Sequence, residues 1–501
     1  MTIHERKRAV SPMMVEVEAQ PSHHDKDDYD LTRMGKRPVL KRNFGLMSMI
    51  GFSCTILVTW ETVPTVLDQQ LEKAPTAGGQ YHWCSMLAPP SYMKLLSYIT
   101  GWLAAIGWQA TYAASSYLNG FYIQAIIGYC NPSYTPKPWK QTVYAHAGIV
   151  VSAFLNLAGG KVLPRLEGTI LFFHVVGFFA TIIPLVYMAE HRPAKEVFTL
   201  FMNEGNWPTQ MLSVMIGLSA PVFAFSGGDA AVHMVEEMTN AATAVPISLM
   251  TTVLVNGALG MGMTIALFFC LGDMDKALHE PHDVPFFAIF EGATGSVAGT
   301  AAAIGLNMAI GVCSLIGMLA TASRQFWSFS RDRAIPGWRV WSQVTPRTAI
   351  PTYTVFLTSM ISALLSLIGL GSEVAFNSLV SMSTTGLFLS YMVAGGLLLY
   401  RRCTGGISHS ADSETAIINT AGAKLVWGPF HLPGLWGIAV NAFAMAYMAI
   451  ATFFSMWPPK NNVDIHTMNY SIVGTGCVII LSLAYYVLRA RKVYIGPIIE
   501  I

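Results

Sequence analysis

Residues 211–239 read MLSVMIGLSAPVFAFSGGDAAVHMVEEMT, an apolar stretch that is interrupted near its middle by Ser226-Gly227-Gly228-Asp229. Adjacent glycines and an aspartate suit a continuous membrane helix poorly, because glycine costs about 1 kcal/mol relative to alanine inside a helix. A broken backbone at membrane depth is tolerated where it is buried in protein or lines a wet cavity. The stretch therefore predicts a broken membrane helix with a binding site at its break. The alternative is a glycine kink that packs closely against a neighbouring helix.

The composition of the whole chain is that of a membrane protein. Of its 501 residues, 53% are hydrophobic and 12% are charged, whereas soluble domains carry about 25% charged residues. The net charge of +2 gives no indication of nucleic-acid binding. Seven cysteines without a C-x-x-C pair predict neither a disulfide framework nor a metal site. We expect an all-α polytopic membrane protein.

Apolar stretches recur along the chain, and about 20 apolar residues suffice to cross the hydrocarbon core of a bilayer. Residues 1–43 mix charges of both signs and predict a disordered cytoplasmic tail that ends in basic residues. A core of membrane helices at 44–400, a cytoplasmic loop at 401–433, two further membrane helices at 434–489 and a cytoplasmic tail at 490–501 follow. The predicted spans are 45–67, 98–127, 143–160, 168–189, 211–239, 247–272, 297–325, 352–370, 374–400, 434–457 and 471–489.

Basic residues on alternate loops give the expected orientation, because cytoplasmic loops carry an excess of lysine and arginine. The loop 324–347 holds five arginines, and the loop 273–296 on the other side is acidic. Eleven spans would place the two basic ends of the chain on opposite sides of the membrane. We therefore expect a second helix to be missing after residue 67. Within the first span, Gly51-Phe52-Ser53-Cys54-Thr55 predicts another interrupted helix, as inverted-repeat carriers have in corresponding positions of both halves.

Seven short motifs follow one another in order along the chain. They are LKRNFGL at 40–46, IGFSCT at 50–55, PTAGGQYHW at 75–83, YITGW at 98–102, KVLP at 161–164, DAAVHMVEE at 229–237 and SRD at 330–332. With these motifs the chain resembles the fungal amino acid/choline transporter branch of the amino acid–polyamine–organocation (APC) permease superfamily, which includes GABA and choline permeases. The resemblance covers about residues 40–495, nearly the whole chain.

The resemblance implies a LeuT-like fold of twelve spans, in which a five-plus-five inverted repeat is followed by two carboxyl-terminal helices. It also implies a secondary active permease for uptake of a small amine-containing solute, such as choline, GABA or an amino acid, with proton coupling. This sequence departs from the pattern after Trp60-Glu61, where it runs from Val66 to Pro75 without a second helix. The alternative is a transport-inactive, truncated permease that acts as a sensor or has no function.

The resemblance further implies which residues surround the substrate. The amino end of a half-helix favours an anion and its carboxyl end favours a cation. Aromatic rings could cover a quaternary ammonium by cation–π contact worth about 2 kcal/mol when desolvated, and Phe52, Trp108 and Phe225 are candidates, with plain packing as the alternative. The implied binding residues are Gly51, Phe52, Ser53, Cys54 and Thr55 on one wall and Phe225, Ser226, Gly227, Gly228 and Asp229 on the other.

The ionisable residues of the broken helix each allow two interpretations. Asp229 either balances a substrate cation or caps the second half-helix, and we expect the cap because aspartate is favoured there. We expect His233, Glu236 and Glu237 to lie in a hydrated cytoplasmic mouth. The sharper hypothesis is a gating ion pair between these glutamates and Arg331.

His174 lies within the apolar span 168–189. A neutral histidine bonded to a helix carbonyl is the simpler interpretation. The resemblance places it where proton-coupled relatives carry a lysine, and histidine changes its charge near physiological pH. Proton coupling through His174 is therefore the alternative hypothesis.

Other classes of protein fit the sequence less well. It shows no Ser/His/Asp set, phosphate-binding glycine loop or metal-ligand cluster of an enzyme, and no repeated filter sequence of a channel. We expect no cofactor and no nucleic-acid partner. The expected partners are the amine or amino acid substrate, a coupling proton and the lipid bilayer. The expected location is the plasma membrane, with the vacuolar membrane as the alternative, and both termini are cytoplasmic in the full-length family topology.

Overall fold

Long apolar segments form long helices in this protein, because a helix satisfies the backbone N–H and C=O groups within one segment. The computed structural model describes residues 23–57, 76–158, 162–199, 201, 203, 205–273, 276–277, 284–370, 373–409, 416–428, 431–465 and 467–500. Within these ranges the chain is helical, and the β-structure consists of isolated bridges.

The helices of the first half lead up to the predicted break. They are α1 (His23–Arg33), α2 (Leu46–Ile56), α3 (Gln80–Leu87), α4 (Pro90–Cys130), α5 (Pro138–Leu157), α6 (Val162–Met188), α7 (Ala194–Thr199), α8 (Gln210–Gly217), α9 (Ser219–Ala224) and α10 (Ala230–His233), followed by a 3-10 helix at Val235–Glu237.

The helices of the second half are longer on average. They are α11 (Ala241–Phe269), α12 (Pro285–Thr294), α13 (Val297–Arg331), α14 (Trp338–Trp341), α15 (Thr352–Ser366), α16 (Glu373–Cys403), α17 (Gly434–Ser455), α18 (Ser471–Tyr485) and α19 (Arg491–Val493). Short 3-10 and π segments extend α15 and α18, at Leu367–Leu370 and Tyr486–Ala490.

Seven of the described helices are long and apolar enough to cross a membrane, which confirms a polytopic all-α membrane protein. They are Val162–Met188, Ala241–Phe269, Val297–Arg331, Thr352–Leu370, Asn377–Cys403, Gly434–Ser455 and Ser471–Val493.

The long helix α4 lies at the centre of the bundle and contacts α5, α13 and α16. Glycines let α4 and α16 approach closely, since a Cβ at Gly386 would lie 2.8 Å from the backbone nitrogen of Gly107. Trp108 and Tyr112 of α4 are fully buried and belong to the main hydrophobic core. This packing fixes Trp108 beside the broken helix.

The predicted break in 211–239 is confirmed. The segment folds as α8 and α9, a turn at residues 225–229, and then α10 with the 3-10 helix Val235–Glu237. The turn therefore falls on the Ser226-Gly227-Gly228-Asp229 sequence that breaks the apolar pattern.

The predicted interruption at Gly51-Phe52-Ser53-Cys54-Thr55 is wrong, because α2 runs through all five residues and ends at Ile56. Their small size serves close packing instead. A Cβ at Gly51 would lie 2.5 Å from the carbonyl oxygen of Glu167 on α6, so only glycine allows these two helices to touch.

The predicted disorder of residues 1–43 is wrong for the part that the structure describes. Residues 23–33 form α1, and the Asp27 carboxylate accepts hydrogen bonds from the backbone N–H groups of Asn240 and Ala241 at the start of α11. Lys36 is buried in an ion pair with Asp332. Residues 1–22 lie outside the described ranges.

The helix predicted to be missing after residue 67 concerns a part of the chain that the structure does not describe. The described residues resume at Thr76, shortly before α3, and residues 58–75 lie outside them. The absence of a second helix stays a prediction.

Candidate functional site

The turn between α9 and α10 brings backbone close to an aromatic ring. Gly227 has φ +100°, a conformation that glycine adopts readily and other residues rarely do. A Cβ at this position would lie 3.0 Å from the Trp108 ring on α4. The Ser226 hydroxyl donates to the carbonyl of Val222 at 2.8 Å, so it closes the end of α9. Phe225 and Gly228 are buried in the same turn.

The carboxylate of Asp229 is the chemical centre of this turn and is fully buried. Its Oδ2 accepts hydrogen bonds from the Gln80 amide, from His233 Nε2 at 3.1 Å and from Trp108 Nε1 at 3.4 Å. Its Oδ1 has no hydrogen-bond partner among the described residues, and the Tyr391 hydroxyl lies beside the carboxylate without hydrogen-bond geometry. A buried polar atom without a partner indicates a place for water, an ion or a ligand.

The expected helix cap is wrong. Asp229 does occupy the position before α10, but its side chain makes no capping hydrogen bond to the backbone. The carboxylate turns instead towards α3 and α4, whose side-chain donors compete for it. Asp229 therefore joins three elements rather than closing one.

His233 is buried between two acceptors, so its predicted place in a hydrated mouth is wrong. Its Nδ1 lies 3.0 Å from the carbonyl oxygen of Ala77, and its Nε2 lies 3.1 Å from Asp229 Oδ2. The edge of its ring also contacts Trp108, with centroids 6.0 Å apart. The imidazole thus links the broken helix to the segment before α3.

Glu236 and Glu237 are also buried, which contradicts the hydrated mouth for them as well. The Arg331 Nη1 lies 2.9 Å from Glu236, which brings together one pair of the gating hypothesis. Glu237 pairs instead with Arg324 Nε at 2.8 Å, a partner that sequence reasoning missed. Arg324 lies seven residues before Arg331 on α13, two turns of the same face.

The residues of the first predicted wall, Gly51 to Thr55, pack against and hydrogen-bond to neighbouring parts of the protein. The Phe52 ring packs edge-on against Phe44, with centroids 5.7 Å apart. Cys54 Sγ donates to Thr252 on α11 at 3.5 Å, and Thr55 donates to Glu167 on α6 at 2.9 Å. Among the described residues only Ser53 of this wall keeps a buried hydroxyl without a partner.

His174 is buried on α6 beside Asn256 of α11. Its Nε2 has no hydrogen-bond partner in the part of the chain that is described. Two turns earlier on α6, Glu167 is fully buried with an unpartnered Oε1. The sequence missed Glu167 because the predicted span started one residue after it, although an ionisable residue within a membrane helix is the relevant signal.

A cavity of about 610 Å³ lies at the end of the helices opposite to Arg331. Its lining includes Gln210 and Ser213 of α8, Thr384 of α16 and Trp457 after α17. Tyr391, beside Asp229, is seven residues further along α16. The cavity therefore borders the same two elements, the broken helix and α16, that meet at Asp229.

Known proteins are similar in sequence to this chain over most of its length. The chain is 28% identical to a putative amino acid/polyamine transporter of Macrophomina phaseolina, over 84% of this chain and 96% of that protein. It is 28% identical to the choline transporter of Saccharomyces cerevisiae, over 86% and 73%, and 27% identical to an amino-acid permease of Arabidopsis thaliana, over 85% and 82%. These are transporters and not enzymes. Because residues 72–478 match the amino acid permease family, we conclude that the chain belongs to that family.

Proposed function

We propose that this protein is a secondary active carrier of a small amine-bearing solute, such as choline, GABA or an amino acid. The observation that carries the proposal is the buried Asp229 carboxylate at the break of a membrane helix, whose Oδ1 lacks a hydrogen-bond partner within the described part of the chain. A buried carboxylate that no lysine or arginine neutralises in the described chain suits a positively charged ligand. The names of the relatives, amino acid/polyamine and choline transporters, are consistent with such a ligand.

In this proposal the amine lies between Asp229 Oδ1 and the aromatic face of Trp108. The open backbone of Gly227 and Gly228 lets the ligand approach, and Phe225 and Ser226 complete this wall of the site. An indole ring attracts a desolvated cation by about 2 kcal/mol. From the other wall the proposal keeps Ser53, whose buried hydroxyl is unpartnered among the described residues, while Gly51, Phe52, Cys54 and Thr55 hold α2 in place.

The direct test is uptake by purified protein in proteoliposomes against choline, GABA, polyamines and amino acids. Uptake of at least one of these above empty vesicles supports a carrier. A chain that binds a substrate but takes up none is the transport-inactive sensor of the alternative reading. A chain that neither binds nor transports any of them contradicts the proposal.

A pair of glycine variants locates the site. Gly227→Leu forces a side chain into the Trp108 ring at a positive φ, so we expect loss of substrate binding and uptake with normal membrane insertion. Gly228→Leu should act in the same way, because it places a large side chain in the same buried turn. Gly257→Leu on α11 is the matched control, since a Cβ there meets nothing within 4 Å. Unchanged affinity in both turn variants would place the site elsewhere.

Uptake coupled to protons is the finer part of the proposal, with His174 as one candidate group. His174→Gln keeps a polar side chain beside Asn256 but cannot titrate. Uptake driven by an inward proton gradient should then collapse, whereas substrate exchange at equal pH should persist. Gradient-driven uptake at the wild-type level would remove His174 from the mechanism.

The gate is a further part of the proposal. Arg331–Glu236 and Arg324–Glu237 join α13 to the end of the broken helix at the side expected to be cytoplasmic. These pairs would have to separate before a substrate could leave on that side. We expect the plasma membrane as the location, which fluorescent tagging of the full chain would check.

A further inference from the structure

Residues 494–500, which we call the carboxyl-terminal segment, lie against the end of the helices that carries Arg324 and Arg331, the arginine-rich end. Glu500 of this segment accepts hydrogen bonds from Nε and Nη2 of Arg331, and its Oε1 lies 2.6 Å from Nε. The same guanidinium donates through Nη1 to Glu236 at 2.9 Å. Arg331 therefore joins the carboxyl-terminal segment to the end of the broken helix.

Two further contacts fix the carboxyl-terminal segment to the helices beneath it. The Tyr494 hydroxyl lies 2.6 Å from Ser97 Oγ on α4. The backbone N–H of Ile498 donates to the Asp332 carboxylate, directly after α13, at 2.8 Å. Tyr494, Ser97 and Asp332 are fully buried. The segment is thus attached to α4 and α13 by polar groups that are shielded from water.

The carboxyl-terminal segment also binds the chain that precedes α2. The backbone N–H of Glu500 donates to the carbonyl of Gly35 at 2.7 Å, and the backbone N–H of Arg37 donates to Glu500 Oε2 at 3.0 Å. Lys36 between them pairs with Asp332. The two ends of the described chain therefore meet over the end of α13.

The chain before α2 is in turn attached to the broken helix. We call residues 35–44 the amino-terminal segment. The backbone N–H groups of Asn43 and Phe44 donate to the carbonyl of Glu237 at 2.9 and 3.0 Å, and the N–H of Thr239 donates to the carbonyl of Phe44 at 2.9 Å. Glu500 consequently bridges α13 on one side and a segment that is bound to the broken helix on the other.

We propose that the carboxyl-terminal segment is an autoinhibitory latch, which holds the arginine-rich end closed and must detach before substrate can leave there. The inference rests on the gate of the proposed function and adds to it a third closing element. Glu500 exposes 19% of its side chain, whereas Glu236 and Glu237 expose 2% and 5%. Because water already reaches Glu500, its contacts are the ones that can break first.

The first test measures how fast a thiol reagent labels the buried Cys54 of α2. Every protein in the test has serine in place of the exposed cysteines Cys130, Cys403 and Cys477. A chain that ends at Gly496 lacks the contacts with Arg331, so Cys54 should be labelled at least about tenfold faster, as expected for the loss of hydrogen bonds to a charged group. Glu500→Gln keeps the length of the chain and should give a smaller increase.

The controls of this test make the result decisive. Glu196→Gln removes an exposed carboxylate at the opposite end and should leave the labelling rate of Cys54 at the wild-type value. If the shortened chain fails to insert into the membrane, Glu500→Gln decides alone. An unchanged or slower rate in the tail variants, at normal insertion, would overturn the latch.

The second test locks the carboxyl-terminal segment in place. A Cβ at Gly35 would lie 3.1 Å from Cγ1 and 3.4 Å from Cα of Ile499, which is close enough for a disulfide between Gly35→Cys and Ile499→Cys. Oxidation of this pair should abolish uptake, and a reducing agent should restore it. Gly35→Cys alone carries the same strain of a positive φ, +81°, and its uptake should not respond to the oxidant. Uptake that continues in the cross-linked protein would show that the segment stays bound during transport and would overturn the latch.

The latch and the proposed function fail separately. If neither the wild type nor the chain that ends at Gly496 takes up any of the tested amines, the proposed function is overturned, and the labelling of Cys54 still decides on the latch. Uptake by the wild type together with an unchanged labelling rate in both tail variants would overturn the latch alone. Uptake only by the shortened chain would support both, since the latch would then hold the full chain closed.

Discussion

The Arg324–Glu237 and Arg331–Glu236 ion pairs at the arginine-rich end of the helices are buried, whereas the described ion pairs at the opposite end are exposed to solvent. The side chains of Arg324 and Glu237 expose 1% and 5% of their surface. At the opposite end, Arg192 and Glu196 expose 22% and 52%. The opposite end also contains the cavity of about 610 Å³ beside the broken helix. One end is therefore closed by desolvated charges and the other is open.

This difference indicates what the buried pairs do. Burying two charges costs solvation free energy that their attraction barely recovers, so a buried pair contributes little net stability compared with apolar packing. Removing one partner, however, leaves a charge with neither water nor a counter-ion. In the gate proposed above, such pairs would therefore act as a switch: both partners would stay together in the closed state or both would become hydrated in the open state.

The largest expected effect follows from breaking the pair of Arg324 and Glu237. Arg324→Met leaves Glu237 buried and unpaired, so the free energy of unfolding should fall by about 3–5 kcal/mol. The double variant Arg324→Met, Glu237→Met removes both charges and should recover most of that loss. Thermal unfolding of the purified protein in detergent measures both effects. Equal destabilisation in the single and double variants would show that burial of charge is not the cause.

The sequence was sufficient to predict the break within residues 211–239 but not the partners of its residues. Gly227, Gly228 and Asp229 are visible as a local break because propensity acts within a few residues. The contacts of Asp229 with Gln80 and Trp108 join residues more than 100 positions apart. No local pattern contains that information, and the same aspartate therefore looked like a helix cap.

The wrong prediction of an interruption at Gly51 to Thr55 has the same cause, a contact between residues far apart in the sequence. Small and polar residues either loosen a helix or let it pack closely, and composition does not distinguish the two. Here Gly51 meets the backbone of Glu167, and Thr55 donates to the Glu167 carboxylate. The deciding neighbour lies on α6, so only the tertiary structure could resolve the ambiguity.

The second prediction is that acidic pH lowers the stability of the protein through a histidine at the arginine-rich end. His82 of α3 is buried, and its Nε2 donates to the carbonyl of Asn419 in the loop after α16. Burial, followed by the charge of Lys36, lowers the pKa of His82 from 6.5 to about 4. Between pH 6.5 and about pH 4, the unfolded chain therefore binds a proton at His82 that the folded chain does not bind. Stability from this group is complete above pH 6.5 and falls towards pH 4, by up to about 3 kcal/mol.

Unfolding temperatures between these pH values test the second prediction. His82→Gln keeps a donor for Asn419 but does not titrate, so its unfolding temperature should fall less on acidification than that of wild type. Acidic groups elsewhere in the protein affect both proteins equally. Parallel curves for the two proteins would exclude His82 as the acid-sensitive group.

The third prediction concerns the proposed gate. Glu236→Gln removes one of the two negative charges that pair with Arg331, and the ion pair between Arg331 and Glu500 remains. A hydrogen bond to a charged group contributes about 1.5–3 kcal/mol, so the open state should become at least about tenfold more populated. The rate at which a thiol reagent labels the buried Cys54 should rise accordingly, in a background where exposed Cys130, Cys403 and Cys477 are serine. An unchanged rate would mean that Glu236 does not hold this end closed.

The smallest effect is expected at the open end. Arg192 and Glu196 form an exposed pair at 3.1 Å, four residues apart, and water solvates both charges whether or not they touch. The backbone N–H of Arg192 donates separately to the carbonyl of Phe269, so the chain there does not depend on the side chain. Arg192→Gln should therefore change the free energy of unfolding by less than about 0.5 kcal/mol. It should also leave Cys54 labelling unchanged, because this pair lies outside the proposed gate. A loss as large as that of Arg324→Met would show that burial does not distinguish the two ends.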